Sequence, residues 1–113
     1  MLAVPALQAL ATEFPSVPIV LDHLGAAVGP ALTEAQAAQW RADIASLAAA
    51  CPNVVCKVGG IQMVLNGWGW EERATPISSE ENAEATWPWY SHVIECFGAN
   101  RCMFGEPKLH ASP

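Results

Sequence analysis

The sequence predicts an α/β fold in which parallel strands alternate with helices. Three short apolar segments, residues 19–23, 54–58 and 101–104, have the length and composition of buried strands. A helical pattern precedes each of them, so the order is helix, strand, helix, strand, helix, strand. Strands that are apolar on both faces and joined by helices indicate a parallel sheet with right-handed crossovers. Two architectures satisfy this order: an open doubly wound sheet and a segment of a (β/α)8 barrel.

The first helix and the first strand lie in the N-terminal part of the chain. Residues 5–14 place Leu7, Leu10 and Phe14 at helical spacing. The stretch Pro-Ser-Val-Pro that follows ends this helix, because proline removes a backbone donor and fixes φ. The segment Ile-Val-Leu-Asp-His, residues 19–23, then predicts a short apolar strand with a polar end.

A capping box predicts where the second helix begins. Thr33 and Gln36 have the spacing of this motif, in which each side chain bonds the backbone of the other residue. Trp40, Ile44 and Leu47 follow on one face of the helix. Cys-Pro-Asn ends the helix, and Val-Val-Cys-Lys-Val forms the second strand.

A long irregular segment that begins with two glycines separates the second strand from the third helix. Ser78 and Glu81 form a second capping pattern at the start of that helix. Pro88 is expected to kink or split it, and Gly98 is expected to end it. The predicted apolar stripe consists of Trp87, Tyr90, Ile94 and Phe97.

The composition is that of one globular domain in a reducing, cytoplasmic compartment. The 113 residues are 52% hydrophobic and 14% charged, which argues against disorder. No apolar run reaches the roughly 18 residues that span a bilayer, and no basic region marks a secretory signal. The net charge of −6 and the five scattered basic residues argue against nucleic acid as a partner. The four cysteines form no Cys-x-x-Cys pair, so neither a disulfide framework nor a zinc site is expected.

His23 is the first candidate for a functional residue. The carboxyl ends of the strands form the functional edge in both architectures, and a neutral imidazole there can bind a metal or move a proton. Because side chains alternate along a strand, an inward-facing His23 would share its face with Ile19 and Leu21, and Asp22 would face the helices. The alternative is a partly exposed histidine that is bonded to a neighbouring loop.

Lys57 and three residues of the long loop are candidates for substrate binding. Lys57 is the only charged residue of the second strand, so its ammonium must reach water, a carboxylate or an anionic ligand. Trp68, Trp70 and Arg73 lie in a loop long enough to be a lid or binding loop. Two tryptophans and an arginine suit a ring that bears a carboxylate. The alternatives are that Lys57 reaches solvent and that the tryptophans only attach the loop to the domain.

Two further histidines and one glycine-rich stretch are weaker candidates. His92 lies beside the apolar stripe of the third helix and is expected at the surface, and His110 lies in a tail without a structural pattern. Residues 25–29, Gly-Ala-Ala-Val-Gly, suggest a nucleotide-binding loop. A phosphate cradle needs its glycines to lead directly into a helix, and the next helix starts near Thr33, so this interpretation is not favoured.

Four segments of the chain carry a family resemblance. They are FPSVPIVLDHLG, ACPNVVCKVGG, NGWGWEER and IECFGANRCMFG, and they occur in this order between residue 5 and Gly105. Together they resemble the C-terminal part of the amidohydrolase-2 family, which includes enzymes that hydrolyse lactones and pyrone dicarboxylates. The resemblance implies a TIM-type (β/α)8 barrel in which this chain supplies the sixth, seventh and eighth strands with their helices.

The resemblance also implies an activity and a role for His23. In such enzymes this histidine faces the barrel mouth, where it helps to bind a divalent metal or, in metal-independent members, orients the substrate carbonyl. The implied reaction is attack of water on a lactone, an ester or a related carbonyl. A metal or a cationic cluster would polarise the carbonyl, and a carboxylate would act as acid and base. The implied partner is a small carboxylate or lactone substrate.

The chain departs from the family pattern at both ends. The His-x-His motif of the first strand and the first five strands have no counterpart, although a full barrel needs about 250 residues. After Gly105 the family continues with Ser, then Asp or Asn, an aromatic residue and Pro, whereas Pro107 falls at the Asp or Asn position here. Glu106 lies one residue early, on the opposite face of a strand, and only a distorted loop would let it substitute.

We therefore expect residues 1–105 to form a partial amidohydrolase-type barrel domain and residues 106–113 to be a tail outside the family. Such a piece leaves strand edges and an apolar face uncovered, so a truncated or frameshifted chain is expected to be inactive alone. The alternative function is a non-catalytic module that assembles with a separate barrel half or with itself. A divalent metal is possible in the full-length family and is not expected to bind stably here.

Overall fold

The computed structural model describes residues 3–25 and 28–105. The tail of residues 106–113, with Glu106, Pro107 and His110, and the middle of the glycine-rich stretch lie outside the described residues. Helices and strands alternate as the sequence predicts, and their bounds are α1 (Ala3–Glu13), β1 (Ile19–Leu21), α2 (Glu34–Ala50), β2 (Val54–Val58), α3 (Ser79–Phe97) and β3 (Cys102–Phe104).

The three strands form one parallel sheet in the order β1-β2-β3. Val20 lies beside Val55, and Lys57 lies beside Met103. Neighbours in the sheet are therefore neighbours in the sequence, as they are around a barrel, whereas a doubly wound sheet reverses its order at a switch point. The described part of the chain has the α/β fold that the sequence predicts.

One face of the sheet carries the core, and the other face is open. Leu21, Val54 and Cys56 are buried on the covered face. On the opposite side Val20 is 48% exposed and Met103 is 44% exposed. We refer to the side formed by Val20, Val55, Lys57 and Met103 as the open face. The buried helix residues that pack on the covered face include Ala11, Ile44, Leu47, Val93 and Phe97.

The helix starts follow the predicted capping signals. The Thr33 hydroxyl accepts a hydrogen bond from the Gln36 N–H at 3.1 Å, and the Gln36 side chain accepts one from the Thr33 N–H at 2.9 Å. This completes the capping box of α2. At α3 the Ser78 hydroxyl accepts from the Glu81 N–H at 3.1 Å, but the Glu81 side chain pairs with Arg73 and leaves the box half-formed.

The structure differs from the prediction for α3 in two places. Pro88 lies inside the helix and does not split it, and the helix ends at Phe97 with Gly98 as the predicted cap, at a φ of 80°. The carbonyl that Pro88 leaves without a donor belongs to Glu84, an exposed residue, so water can satisfy it. Trp87 is 60% exposed and lies outside the buried face of the helix. The buried face consists of Thr86, Val93 and Phe97, so two of its residues come one position before the predicted Trp87 and Ile94.

His92 lies in the interface between α2 and α3, so the expectation that it lies at the surface is wrong. Its Nε2 atom is 2.9 Å from the Arg41 carbonyl oxygen, and its ring centre is 5.5 Å from that of Trp40. These contacts satisfy the imidazole within the helix layer. The structure therefore gives His92 a packing role.

The four cysteines are free thiols, as the sequence predicts. Cys51 and Cys56 are buried and act as small apolar core residues. Within residues 3–25 and 28–105, no helix is both long enough and apolar enough to cross a membrane.

Candidate functional site

The first strand ends at Leu21, before the polar pair that the sequence assigns to it. The chain then turns sharply, and His23 and Leu24 adopt left-handed backbone conformations with φ of 49° and 58°. This conformation costs about 1–2 kcal/mol for a residue with a Cβ atom, so packing must hold it. Leu24 is fully buried, and its carbonyl oxygen accepts a hydrogen bond from the Trp40 indole N–H at 2.8 Å.

Asp22 lies on the face opposite the predicted one. Leu21 packs against the helices, so the next residue belongs to the open face. The Asp22 carboxylate lies there, 3.3 Å from the Lys57 ammonium nitrogen. The expectation that Asp22 faces the helices is wrong, because His23 lies outside the strand and does not share the face of Leu21.

Asp22 is the site residue that the sequence prediction missed. A signal for it exists in the two strand sequences, Ile-Val-Leu-Asp and Val-Val-Cys-Lys, which both end in a charged residue after three apolar ones. Ile19 pairs with Val54 and Leu21 pairs with Cys56, so Asp22 follows β1 at the level of Lys57. Aligning the ends of the two strands predicts an ion pair at this edge.

The His23 ring packs against the carboxyl end of β2. Its Nδ1 atom lies 3.3 Å from the Gly59 carbonyl oxygen. A Cβ atom at Gly60 would lie 2.8 Å from Cε1 of the ring and closer still to Nδ1, so the ring fits only against glycine. His23 therefore lies at the predicted edge, and it bonds to the neighbouring loop as the alternative interpretation expects.

Lys57 reaches a carboxylate, one of the three partners predicted for its ammonium. Its aliphatic stem lies across Gly105, where a Cβ atom would come within 2.8 Å of the Lys57 Cγ. The side chains of Lys57 and Asp22 are 32% and 63% exposed, so solvent and a small ligand can reach the pair. An ammonium group has three N–H donors, so Lys57 can bind a further oxygen while it is paired with Asp22. The structure thus brings Asp22, His23 and Lys57 to the same edge.

The two loop tryptophans lie against each other and against the loop itself. The rings of Trp68 and Trp70 stack at 4.7 Å with an angle of 19°. The Trp68 indole N–H donates to the Ile61 carbonyl oxygen at 2.6 Å. In the described part of the chain, no hydrogen bond or ion pair joins either tryptophan to His23. Trp68 also packs against the hydrophobic core, which is the kind of contact expected if the tryptophans attach the loop to the domain.

Arg73 attaches the other end of the loop to α3. Its guanidinium donates to both carboxylate oxygens of Glu81, at 2.8 and 3.2 Å. These hydrogen bonds lower the pKa of the Glu81 carboxyl and raise the pKa of the Arg73 guanidinium. Across residues 3–25 and 28–105, no hydrogen bond or ion pair connects Arg73 with His23 or Lys57. The structure places Arg73 apart from the other polar candidates.

A cavity of about 330 Å³ lies between the ends of β2 and β3 and helix α3. Its volume is at the lower end of the range for small-molecule sites. A hydrogen bond of 3.2 Å from the Gln62 amide to Asn82 crosses part of its wall. His23 and Lys57 do not line it. The cavity therefore lies on the side of α3, next to the polar edge, with which it shares Gly59 and Gly60.

The described residues do not by themselves fit a metal centre. Among them, no group of three His, Cys, Asp or Glu side chains is placed to hold a metal ion. A catalytic zinc site has about three protein ligands, so His23, the predicted ligand, would supply one of them. The groups available at the edge are an imidazole, a carboxylate and an ammonium.

Comparison with known protein families and sequences identifies relatives along almost the whole chain. The family model described as Amidohydrolase matches residues 1–105. The chain is 36% identical over 96 residues to the uncharacterized protein y4mH of Sinorhizobium fredii, a match that covers 84% of this chain and 26% of that protein. It is 34% identical over 101 residues to L-fucono-1,5-lactonase of Burkholderia ambifaria, which covers 89% of this chain and 29% of that enzyme.

Solved structures show the same arrangement. Two crystal structures of an amidohydrolase from Burkholderia multivorans, one with bound HEPES and one with bound zinc, superpose with TM-scores of 0.69 and 0.68 at 29% and 28% identity. Each match covers 93% of this chain and 34% of the solved one. The chain spans less than a third of the length of the curated relatives that it matches. With the family model matched over residues 1–105, the chain belongs to the amidohydrolase family.

Proposed function

We propose that this chain is the part of an amidohydrolase-family hydrolase that contacts a lactone or ester substrate at the carboxyl ends of β1 and β2. The observation that carries the proposal is the convergence of Asp22, His23 and Lys57 at that edge. Active sites of (β/α)8 enzymes lie at the carboxyl ends of the strands. The similarity to L-fucono-1,5-lactonase favours a lactone as the substrate class.

The three side chains supply groups that hydrolysis of a carbonyl compound requires. Attack of water needs a general base that accepts a proton from the water. It also needs a positive group near the carbonyl oxygen, where negative charge develops. Lys57 is the positive group, and it binds the carbonyl oxygen or a carboxylate of the substrate. Asp22 holds the Lys57 ammonium at the edge. His23 is the catalytic residue that contacts the water or the substrate.

The loop after β2 supplies the remaining part of the proposed site. The stacked rings of Trp68 and Trp70 offer a flat apolar surface for a sugar-like or aromatic ring. Arg73 binds a substrate carboxylate only after its ion pair with Glu81 opens, because both of its terminal nitrogens donate to that residue. These roles are supported by the position of the loop, which begins at Gly59, the residue whose carbonyl oxygen contacts His23.

A segment exchange tests the proposed function. Residues 1–105 replace the matching segment of the Burkholderia ambifaria L-fucono-1,5-lactonase, and hydrolysis of L-fucono-1,5-lactone is measured. We expect a folded chimera to hydrolyse the lactone. His23→Ala should lower kcat/KM by about 100-fold or more, the usual loss for a group that transfers protons. Lys57→Met should lower it by a similar factor, because the positive group is lost.

His92→Gln is the matched control for the histidine variant. This change replaces a histidine in the helix interface and retains an amide donor for the Arg41 carbonyl oxygen, so kcat/KM should not change. A folded chimera that is inactive in every form contradicts the proposed function. An active chimera that keeps its rate after His23→Ala contradicts the role of His23.

A non-catalytic association function is the second candidate, and one observation favours it. The open face exposes about half of the Val20 and Met103 side chains, and exposed apolar surface of this kind marks interaction sites. In this candidate the face packs against a separate barrel half or against a second copy of the chain. Association without hydrolysis, measured by sedimentation and by lactone assay, would support it over the first candidate.

A further inference from the structure

We infer that Gly59 and Gly60 are positioning residues that hold His23 in one tautomer, with the proton on Nδ1 and the lone pair on Nε2. The use of that lone pair in hydrolysis rests on the proposed function. The tautomer itself is a property of the folded chain and can be measured without any activity. The two glycines lie directly after β2, opposite the turn that carries His23.

The turn after β1 directs the His23 ring onto the end of β2. His23 and Leu24 have φ of 49° and 58°, and residues with side chains keep such conformations only where the surroundings hold them. The hydrogen bond of 2.8 Å from the Trp40 indole to the Leu24 carbonyl oxygen holds the turn from α2. The ring therefore points away from the axis of β1 and lies beside the carboxyl end of β2.

Gly60 gives the ring its space. Its φ is +75°, and a Cβ atom there would lie 2.8 Å from Cε1 and 3.0 Å from Cγ of His23. Gly69 has the same φ of +75°, but a Cβ atom there would meet nothing within 4 Å. The positive φ thus favours glycine at both positions. Only at Gly60 does a neighbouring side chain require it as well.

The Gly59 carbonyl selects the protonated nitrogen. It lies 3.3 Å from Nδ1 of His23, and a carbonyl oxygen can only accept, so Nδ1 carries the hydrogen. A neutral imidazole carries one hydrogen, which leaves Nε2 as an acceptor. Among residues 3–25 and 28–105, no hydrogen-bond partner faces Nε2. A side chain on Gly59 would overlap the Gly105 carbonyl, so the chain after β3 keeps Gly59 in place.

This tautomer decides between two roles for His23. A neutral ring with its lone pair on Nε2 cannot donate a hydrogen bond to a substrate carbonyl, so it does not orient that oxygen. It can accept the proton of the attacking water as the water oxygen bonds to the carbonyl carbon. The resulting imidazolium keeps its bond to Gly59 and returns the proton to the ring oxygen that leaves when the lactone C–O bond breaks. Lys57 then remains as the donor to the carbonyl oxygen.

Nitrogen NMR of the purified 113-residue chain tests the tautomer. The histidines are labelled with ¹⁵N, and long-range proton–nitrogen correlations are recorded at about pH 9, above the ordinary range of histidine pKa values. The His23 signals are assigned by their loss in His23→Gln. We expect a protonated Nδ1 and a bare Nε2. A protonated Nε2, or a pattern equal to that of the denatured chain, would overturn the inference.

Gly60→Ala and Gly69→Ala separate the side-chain contact from the backbone preference. We expect His23 to leave the Nδ1-protonated form in Gly60→Ala and to keep it in Gly69→Ala. The urea midpoint should fall further for Gly60→Ala than for Gly69→Ala. In the His23→Ala background, where no ring is present, the excess loss of Gly60→Ala over Gly69→Ala should shrink. An excess loss that is unchanged without the ring assigns Gly60 a backbone role only and overturns the inference.

The two proposals fail in different ways. The expected tautomer together with an inactive chimera would refute the proposed function and leave the positioning role of Gly59 and Gly60 in place. An active chimera together with a protonated Nε2 would refute the positioning role alone.

Discussion

Burial raises the pKa of the Cys56 thiol to about 12, from an ordinary value of 9.0. Desolvation is the main cause, since this residue of β2 is fully buried under the helices. The nearby Cys102, its register partner on β3, raises the pKa further. The thiolate is therefore absent at neutral pH, and Cys56 contributes to the structure as a small apolar group.

We expect this thiol to weaken the fold at alkaline pH. The pKa is higher in the folded chain, so the unfolded chain ionises first as pH rises from 9 towards 12. The stability is complete below this range and falls within it, by up to about 4 kcal/mol. Urea unfolding at a series of pH values should show a steeper alkaline loss for the wild type than for Cys56→Ala. Equal slopes would contradict this account.

The place of His23 could be predicted from the sequence, whereas its conformation could not. An apolar run that ends in Asp-His is a local signal for the end of a strand. The left-handed turn depends on Trp40 and Gly60, which are distant in the sequence and reach the turn only in the folded chain. Because the strand ends at Leu21, His23 does not share the face of Leu21, and Asp22 lies on the face opposite the predicted one.

Helix starts were predictable elements because their signals are local. The Thr33–Gln36 capping box lies within one turn of chain and forms as expected. The Glu81 side chain pairs with Arg73 instead of capping its own helix, and this pairing depends on the position of the preceding loop, which the local sequence does not show.

The hydrogen bonds of Arg101 were also not predictable from the sequence. Its guanidinium joins the ends of three elements by donating to the carbonyls of Ala48, Cys51, Val54 and Phe97.

We expect Arg101→Lys to destabilise the domain although it keeps the charge. An ammonium on a flexible stem cannot reproduce the fixed fork that reaches carbonyls of α2, β2 and α3. Hydrogen bonds to charged groups contribute about 1.5–3 kcal/mol, so the free energy of unfolding should fall by about 2–3 kcal/mol. The control is Arg41→Lys, whose guanidinium lies 5.7 Å from the Trp89 ring centre. Its loss should be about 1 kcal/mol or less. Equal losses in urea unfolding would refute the role of Arg101.

The order of the elements and the parallel sheet were predictable for the molecule as a whole. Apolar segments that alternate with helical patterns leave few other topologies. The choice of a barrel segment over a doubly wound sheet depended on the family resemblance, which the family match and the superposed structures confirm. Element order alone cannot make this choice, because both architectures use the same repeating unit.

The one-sided sheet leads to a prediction about the whole chain. We expect the purified chain to associate as its concentration rises, because the open face exposes apolar side chains. Replacing Val20 and Met103 by Ser should shift sedimentation towards the monomer. Val64→Ser is the control, since Val64 is 66% exposed in the loop and away from the sheet. A chain that is monomeric at every concentration, or a control that acts equally, would contradict association through the open face.

Leu24 shows how the same turn limits the mutations that the chain can accept. Glycine at this position would relieve a backbone cost of about 1–2 kcal/mol. It would also empty a fully buried site, and loss of a buried leucine costs about 2–5 kcal/mol. The second effect is larger, so no single step from Leu24 to glycine improves stability. Glycine would therefore be an improvement at this position only together with a compensating change in the surrounding core.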